Sequence, residues 1–148
     1  MIIIPARLAS TRFPHKVLAD IGGLPMVVRT AKRVEHLDRV VVAADDELII
    51  KTCKEHGIEA MLTSTTHKSG TDRIHECATI LNLDDDEIIV NVQADEPFIE
   101  PELIEKLAST FDEDSVQMAS AMHKIRKVEE LKNHNVVKVT VDYKSNAL

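Results

Sequence analysis

Aromatic residues are scarce in this sequence, and it has no long apolar segment. Its 148 residues include three phenylalanines, one tyrosine and no tryptophan, which leaves little surface for stacking on nucleic-acid bases. No apolar run approaches the roughly 20 residues of a membrane-spanning helix. No charged segment precedes the short apolar start at 2–4, as it would in a signal peptide. We therefore expect no nucleic-acid partner, no membrane partner and a cytoplasmic location.

The cysteine and glycine motifs of several common site classes are also missing. Cys53 and Cys77 have no Cys-x-x-Cys or Cys/His ligand spacing, which argues against a disulfide framework and against a zinc site. Neither the Walker sequence nor the Gly-x-Gly-x-x-Gly dinucleotide fingerprint occurs. A phosphate site built on either of these glycine-rich loops is therefore excluded.

The charges are unevenly distributed along the chain. The net charge is -7, yet residues 1–33 carry +5 and the remainder carries -12. The six cations of the first segment are Arg7, Arg12, Lys16, Arg29, Lys32 and Arg33, against the single acid Asp20. A basic end on an acidic body is typical of a pocket for a multiply charged anion, although chance or a nucleic-acid arm would also produce it.

Short apolar runs alternate with amphipathic segments along the chain. We predict strands at 1–4, 39–44, 58–62 and 88–92, and further strands at 116–122 and 136–141. We predict helices that begin near Pro25, after Asp45 or Asp46, near Thr71 and at Pro101, with Gly57 ending the second and a short fifth helix at 127–131. Such alternation predicts one α/β domain, residues 1–148, with a mostly parallel central sheet covered by helices on both faces.

The loop after the first strand, residues 5–16, is the first candidate site. It contains Arg7, Arg12 and Lys16, the hydroxyls Ser10 and Thr11, and no acid. Ligands of open α/β sheets bind beyond the carboxyl ends of the strands. Guanidinium forks, an ammonium group and hydroxyls together suit phosphate oxygens. The composition therefore predicts a phosphate-binding loop, with a solvated basic loop as the alternative.

Two further loops follow the same logic. Asp95 lies just after the strand 88–92, where a carboxylate can hold Mg²⁺ against a bound triphosphate. Glu96 is the alternative ligand, and an ordinary turn before Pro97 would also explain both acids. The segment 67–73 precedes a helix that either Ser69 or Thr71 caps, and its Gly70 would let a flat ligand such as a nucleobase approach the backbone.

Together these segments resemble the 3-deoxy-manno-octulosonate cytidylyltransferase family. The matching motifs run in order over essentially the whole chain: IIIPAR at 2–7 with ASTRFP at 9–14 and Lys16, GLPM at 23–26, SGTDR at 69–73, VNVQADEP at 90–97 and NVVKV at 135–139. The resemblance implies a Rossmann-like three-layer α/β/α fold of the nucleotide-diphospho-sugar transferase type. It also implies Mg²⁺-dependent transfer of CMP from CTP to the acidic sugar 3-deoxy-D-manno-octulosonate (Kdo), with release of pyrophosphate, for lipopolysaccharide biosynthesis.

The resemblance also implies a role for each site residue. The triphosphate would be held by Arg7, Ser10, Arg12 and Lys16, and the cytosine and ribose would be framed by Ser69, Gly70, Thr71 and Arg73. Gln93 would contact the nucleotide or the sugar, and Asp95 would hold Mg²⁺. Arg12, Lys16 and Asp95 are the expected catalytic residues.

This chain departs from the family pattern in three ways. It has His15 and Ala94 where the family commonly has glycine. Family members also continue well past the point that matches residues 142–148, through sugar-binding residues, dimer contacts and a second acidic metal ligand. We therefore expect a single nucleotide-binding domain that is truncated relative to the family enzyme, with a homodimer as the family's assembly. The alternatives are a catalytically incomplete CTP-binding fragment, a cytidylyltransferase for another acidic sugar, and a regulatory module that binds no nucleotide.

Overall fold

The computed structural model describes residues 1–9, 13–112 and 116–147. Within these ranges the strands are β1 (Ile2–Ala6), β2 (Val40–Ala44), β3 (Glu59–Leu62) and β4 (Val90–Asn91). The α-helices are α1 (Met26–Val34), α2 (Glu47–Glu55), α3 (Gly70–Ile80), α4 (Pro101–Ala108) and α5 (Val128–Lys132), with short 3-10 turns at Lys16–Leu18 and Ser109–Asp112. No helix among these residues is long and apolar enough to cross a membrane.

The four strands form one parallel sheet in the order β3-β2-β1-β4. Strand β1 lies inside the sheet, where Ile2 pairs with Val40 on one side and with Val90 on the other. Every residue of β1 and β2 is buried, because continuous apolar runs of this kind suit strands that are covered on both faces. The predicted parallel sheet is confirmed.

Helices cover both faces of the sheet, which confirms the three-layer α/β/α fold. Ile2 and Ile4 of β1 pack in one core cluster with residues of α1, α2 and α4. Ile3 points to the opposite face and packs with Ile74 and Cys77 of α3. Alternate residues of a strand face opposite sides of a sheet, and full burial of one such side chain contributes about 1.5–3 kcal/mol. The two clusters therefore hold the helices in place on either side of β1.

The helix ends resolve two alternatives. Asp46, not Asp45, caps α2, since its side chain accepts a hydrogen bond from Leu48 N at 2.8 Å. Ser69, not Thr71, caps α3 through Asp72 N at 3.1 Å.

The strands predicted at 116–122 and 136–141 are wrong, because in the described part of the chain the sheet ends at β4. Met118 and Val137 are 89% and 96% exposed, so neither packs against an apolar surface. A β-branched sequence favours an extended backbone, but a strand also needs an edge to pair with. The short helix predicted between them is confirmed as α5.

Candidate functional site

The three loops meet at one edge of the sheet and enclose a cavity of about 220 Å³. The cavity lies beyond the carboxyl end of β1, beside the segment that follows β4 and the first turn of α3. Its walls are formed by Pro5, Ala6, Arg7, His67, Lys68, Ser69, Gly70, Arg73 and Gln93. Five predicted site residues, Arg7, Ser69, Gly70, Arg73 and Gln93, therefore share one cavity. Thr71 is exposed and does not line it.

Gly70 allows the start of α3 to lie close to β1. A Cβ atom at this position would lie 3.3 Å from Pro5 Cγ and 3.9 Å from Gln93 Nε2. Because the proline ring is rigid, a larger residue would push α3 away from the strand. The glycine thus brings α3 against β1 and leaves the space between Pro5 and Gln93 open.

Arg73 is a buried cation whose guanidinium is fixed by three acceptors. It donates from Nη1 to Thr63 Oγ1 at 2.6 Å and to Ser64 O at 3.2 Å, and from Nη2 to Asp45 Oδ2 at 3.2 Å. The side chains of Arg73 and Asp45 are only 5% and 13% exposed. A charged wall of the cavity is therefore held in a single position, since the buried guanidinium has several partners to satisfy it.

Asp45 and Glu76 support this wall, and neither is predicted as a site residue from the sequence. Asp45 Oδ1 accepts from Leu8 N at 2.8 Å, so the same carboxylate contacts the first loop and Arg73. Glu76 accepts from Ser64 N at 2.8 Å and also contacts His67 Nε2. The Ser64 N–H, together with His67, lowers the pKa of the Glu76 carboxyl. One sign was available for Asp45, namely an acid directly after a strand at the same edge of the sheet.

Lys16 and Asp95 form an ion pair, in which Asp95 comes two residues after Gln93, a residue that lines the cavity. Lys16 Nζ lies 2.6 Å from Asp95 Oδ2, and the two side chains are 41% and 46% exposed. Helix α1 holds the segment that carries Asp95, because the buried Thr30 Oγ1 hydrogen-bonds Ala94 O at 2.9 Å. The predicted phosphate cation and the predicted metal ligand are thus direct neighbours, and water reaches both.

The carboxylates of the site fit a cation that shares its coordination with a ligand. Among the described residues no group of three or more His, Cys, Asp or Glu side chains could form a protein cage for a metal. Mg²⁺ is usually bound by one or two carboxylates together with substrate phosphates, so the exposed carboxylate of Asp95 suits it. Glu96 is exposed as well. Its N–H donates to Gln93 O at 3.1 Å, a backbone contact that does not involve its carboxylate, so Glu96 stays the alternative ligand.

The remaining predicted positions differ in what the structure shows. Ser10 and Arg12 lie outside the described residues. His15 adopts a left-handed backbone with φ of 53°, a conformation that favours glycine. Ala94 is buried and is not among the residues with positive φ, so its methyl group fits where the family commonly has glycine.

The chain is similar along its length to known proteins. A family model described as cytidylyltransferase matches residues 1–148. The 3-deoxy-manno-octulosonate cytidylyltransferase of Wolinella succinogenes is 52% identical over 153 residues, which cover 100% of this chain and 62% of that protein. The corresponding protein of Neisseria meningitidis serogroup A is 49% identical over 150 residues, which cover 100% of this chain and 59% of that protein.

Solved structures have the same fold. The structure of CMP:2-keto-3-deoxy-manno-octonic acid synthetase complexed with CTP matches with a TM-score of 0.90 and 34% identity, over 99% of this chain and 61% of that one. A cytidylyltransferase from Leptospira borgpetersenii matches with a TM-score of 0.63 and 25% identity, over 74% of this chain and 47% of that one. The chain thus spans about three fifths of the length of the curated relatives it matches.

Proposed function

Because the chain belongs to the cytidylyltransferase family, we propose that it forms the nucleotide-binding part of an enzyme that transfers CMP from CTP to Kdo and releases pyrophosphate. One observation carries this proposal: residues from three loops line a single cavity, and Asp95 of the Lys16–Asp95 ion pair comes two residues after Gln93, which is one of them. The names of the similar proteins and the CTP complex of the similar synthetase support it. A cytoplasmic location and a role in lipopolysaccharide biosynthesis belong to the proposal through the family resemblance.

In this proposal the nucleotide occupies two places. A cavity of about 220 Å³ is smaller than the ~300 Å³ at which pockets for whole drug-sized ligands begin. It would therefore hold the cytosine and ribose, between Ser69, Gly70 and Arg73 on one side and Gln93 on the other. Thr71 keeps a role there only through the family resemblance. The triphosphate would extend into solvent toward Arg7 and Lys16. Ser10 and Arg12, which lie outside the described residues, are assigned to it through the family resemblance.

In the proposed reaction the chain positions the nucleotide and stabilises charge. Asp95 would hold Mg²⁺, which neutralises charge that develops on the phosphate oxygens. Lys16 would exchange its contact with Asp95 for a phosphate oxygen, since an exposed ion pair costs little to separate. The hydroxyl oxygen of the sugar forms the new bond to the α-phosphorus while the bond to the leaving pyrophosphate breaks, and the hydroxyl proton is released to water. Cations fixed around the phosphates favour this in-line geometry.

Calorimetric titration tests the nucleotide specificity. We expect CTP with Mg²⁺ to bind more tightly than ATP or UTP, and Asp95→Asn to weaken the binding that depends on Mg²⁺. Asp85→Asn is the matched control, because it makes the same chemical change at an exposed acid between α3 and β4. Equal affinity for the three nucleotides would contradict the proposal.

A second candidate function for this chain is CTP binding without turnover. It is compatible with the share of its relatives' length that the chain spans, about three fifths, but that share does not favour it over transfer. Pyrophosphate release after addition of Kdo separates the two, since only the transferase releases it. A homodimer is part of the first proposal, and light scattering after size-exclusion chromatography measures it directly.

A further inference from the structure

Two adjacent acids at the end of β2 have different partners. Asp46 Oδ1 accepts from Leu48 N at 2.8 Å and so caps α2. Asp45 does not cap the helix. It instead accepts hydrogen bonds from two other segments: from Leu8 N of the first loop at 2.8 Å and from Arg73 Nη2 of α3 at 3.2 Å. Asp45 is thus the point at which the first loop and α3 are tied to the same carboxylate.

Both partners of Asp45 adjoin the cavity. Leu8 directly follows Arg7, which lines it, and Arg73 lines it as well. The hydrogen bond to Leu8 N fixes the peptide between Arg7 and Leu8, while the ion pair fixes the guanidinium. Because the Asp45 side chain is only 13% exposed, water does not readily replace it in either contact.

We propose that Asp45 is a positioning residue for nucleotide binding, which sets the phosphate-binding loop at a fixed distance from the cytosine and ribose side of the cavity. It does not line the cavity and would act through Arg7, Leu8 and Arg73. The inference rests on the proposed function, because it assigns the first loop to the phosphates and the α3 wall of the cavity to the cytosine and ribose of one nucleotide.

Two substitutions separate the effect of the ion pair with Arg73 from that of the hydrogen bond with Leu8 N. Asp45→Asn keeps an oxygen for Leu8 N but removes the charge opposite Arg73, and Asp45→Ala removes both contacts. We expect the Kd for CTP to rise about tenfold in Asp45→Asn, the equivalent of one charge-assisted hydrogen bond. We expect a larger rise in the Kd for CTP in Asp45→Ala. In that variant the affinity for CTP falls more than the affinity for CMP, because the loop that holds the outer phosphates no longer has its hydrogen bond to Asp45.

The test is calorimetry with CTP and CMP in the presence of Mg²⁺, at a temperature where circular dichroism shows every variant to be folded. Asp46→Ala is the matched control: it lowers the melting temperature through the lost cap, yet its Kd for CTP stays within about twofold of the unsubstituted chain. If Asp45→Asn also stays within twofold while the unsubstituted chain binds CTP, the inference is overturned and the proposed function stands. If the unsubstituted chain binds no CTP, both are overturned.

Discussion

The two sides of the candidate site are built differently. The α3 side consists of Asp45, Thr63, Ser69, Gly70 and Arg73, and its charged groups are buried and hydrogen-bonded. The Lys16 side consists of Lys16 and Asp95, a single ion pair in which both side chains are more than 40% exposed. Buried charges are costly to rearrange, whereas exposed pairs contribute about 0–1 kcal/mol and exchange partners readily.

This difference matches the two tasks of the proposed function. A base and a ribose have a fixed shape, so a wall that is rigid before the ligand arrives loses little entropy on binding. Phosphates and a metal ion carry their own charge, so Lys16 and Asp95 must separate from each other before they bind these ligands. The contrast predicts that substitutions on the α3 side reduce stability, while those on the Lys16 side reduce ligand binding alone.

Replacement of one cation on each side is the most direct test of this contrast. Arg73→Met leaves Asp45 buried without its ion-pair partner, and we expect a loss of about 3–5 kcal/mol in the free energy of unfolding. Lys16→Met likewise replaces a cation with a methionine, but in an exposed ion pair, and the expected loss in the free energy of unfolding is below about 1 kcal/mol. Urea unfolding of both variants measures the difference. Similar losses for the two variants would show that the sides do not differ in this way.

The Lys16 side has a buried support of its own, which the next substitution addresses. Thr30→Val removes the hydroxyl that hydrogen-bonds Ala94 O at 2.9 Å, and the buried carbonyl should cost about 1–3 kcal/mol when left without a partner. Thr79→Val is the matched control, because Thr79 Oγ1 donates to the carbonyl of His75, four residues earlier in its helix, from an exposed position.

Urea unfolding measures the stability of both threonine variants, and titration with CTP and Mg²⁺ measures the effect on Asp95. We expect Thr30→Val to weaken this binding and Thr79→Val to leave it unchanged. Equal unfolding free energies for the two variants would mean that α1 does not hold the segment that carries Asp95.

Much of the architecture behind this contrast is predictable from the sequence. The buried runs 2–4 and 40–44 have the length and β-branching of interior strands, and parallel topology brings the loops after them to one edge. The convergence of Arg7, Gln93 and the segment 69–73 follows from that rule alone.

The support of the α3 side is not predictable in the same way. Asp45 and Asp46 are identical neighbours, and both are suitable helix caps by residue type. Their different roles arise only because α3 and the first loop cross beside Asp45. Arginine is rarely buried, and no sequence pattern marks Arg73 as the exception. The segments 116–122 and 136–141 fail for a related reason, since strand pairing depends on an edge that a local pattern does not contain.

A smaller effect is expected at His15, the residue directly before Lys16. Its left-handed backbone, with φ of 53°, costs a non-glycine residue about 1–2 kcal/mol. Glycine avoids this cost, but part of the gain is offset because glycine makes the unfolded chain more flexible. His15→Gly should therefore stabilise the protein by up to about 1 kcal/mol. Ala94→Gly is the counterpart of opposite sign, because φ is not positive there. Thermal unfolding measures the stability of both variants. If His15→Gly lowers the melting temperature, the backbone of His15 is not strained.

The smallest effect concerns the pH dependence of Glu76, which supports the α3 side through Ser64. Glu76 holds Ser64 N and His67 against α3, and the Ser64 N–H, followed by His67, lowers the pKa of its carboxyl from 4.5. A carboxyl whose pKa is lower in the folded state than in the unfolded state stabilises the protein above the unfolded value, and this contribution disappears as the pH falls through the folded value. Unfolding free energy should therefore decrease as the pH falls below 4.5, and Glu76→Gln should make that decrease shallower. Asp85→Asn is the control. If its unfolding free energy depends on pH as weakly as that of Glu76→Gln, the pH dependence comes from the general charge of the chain and not from the hydrogen bonds of Glu76.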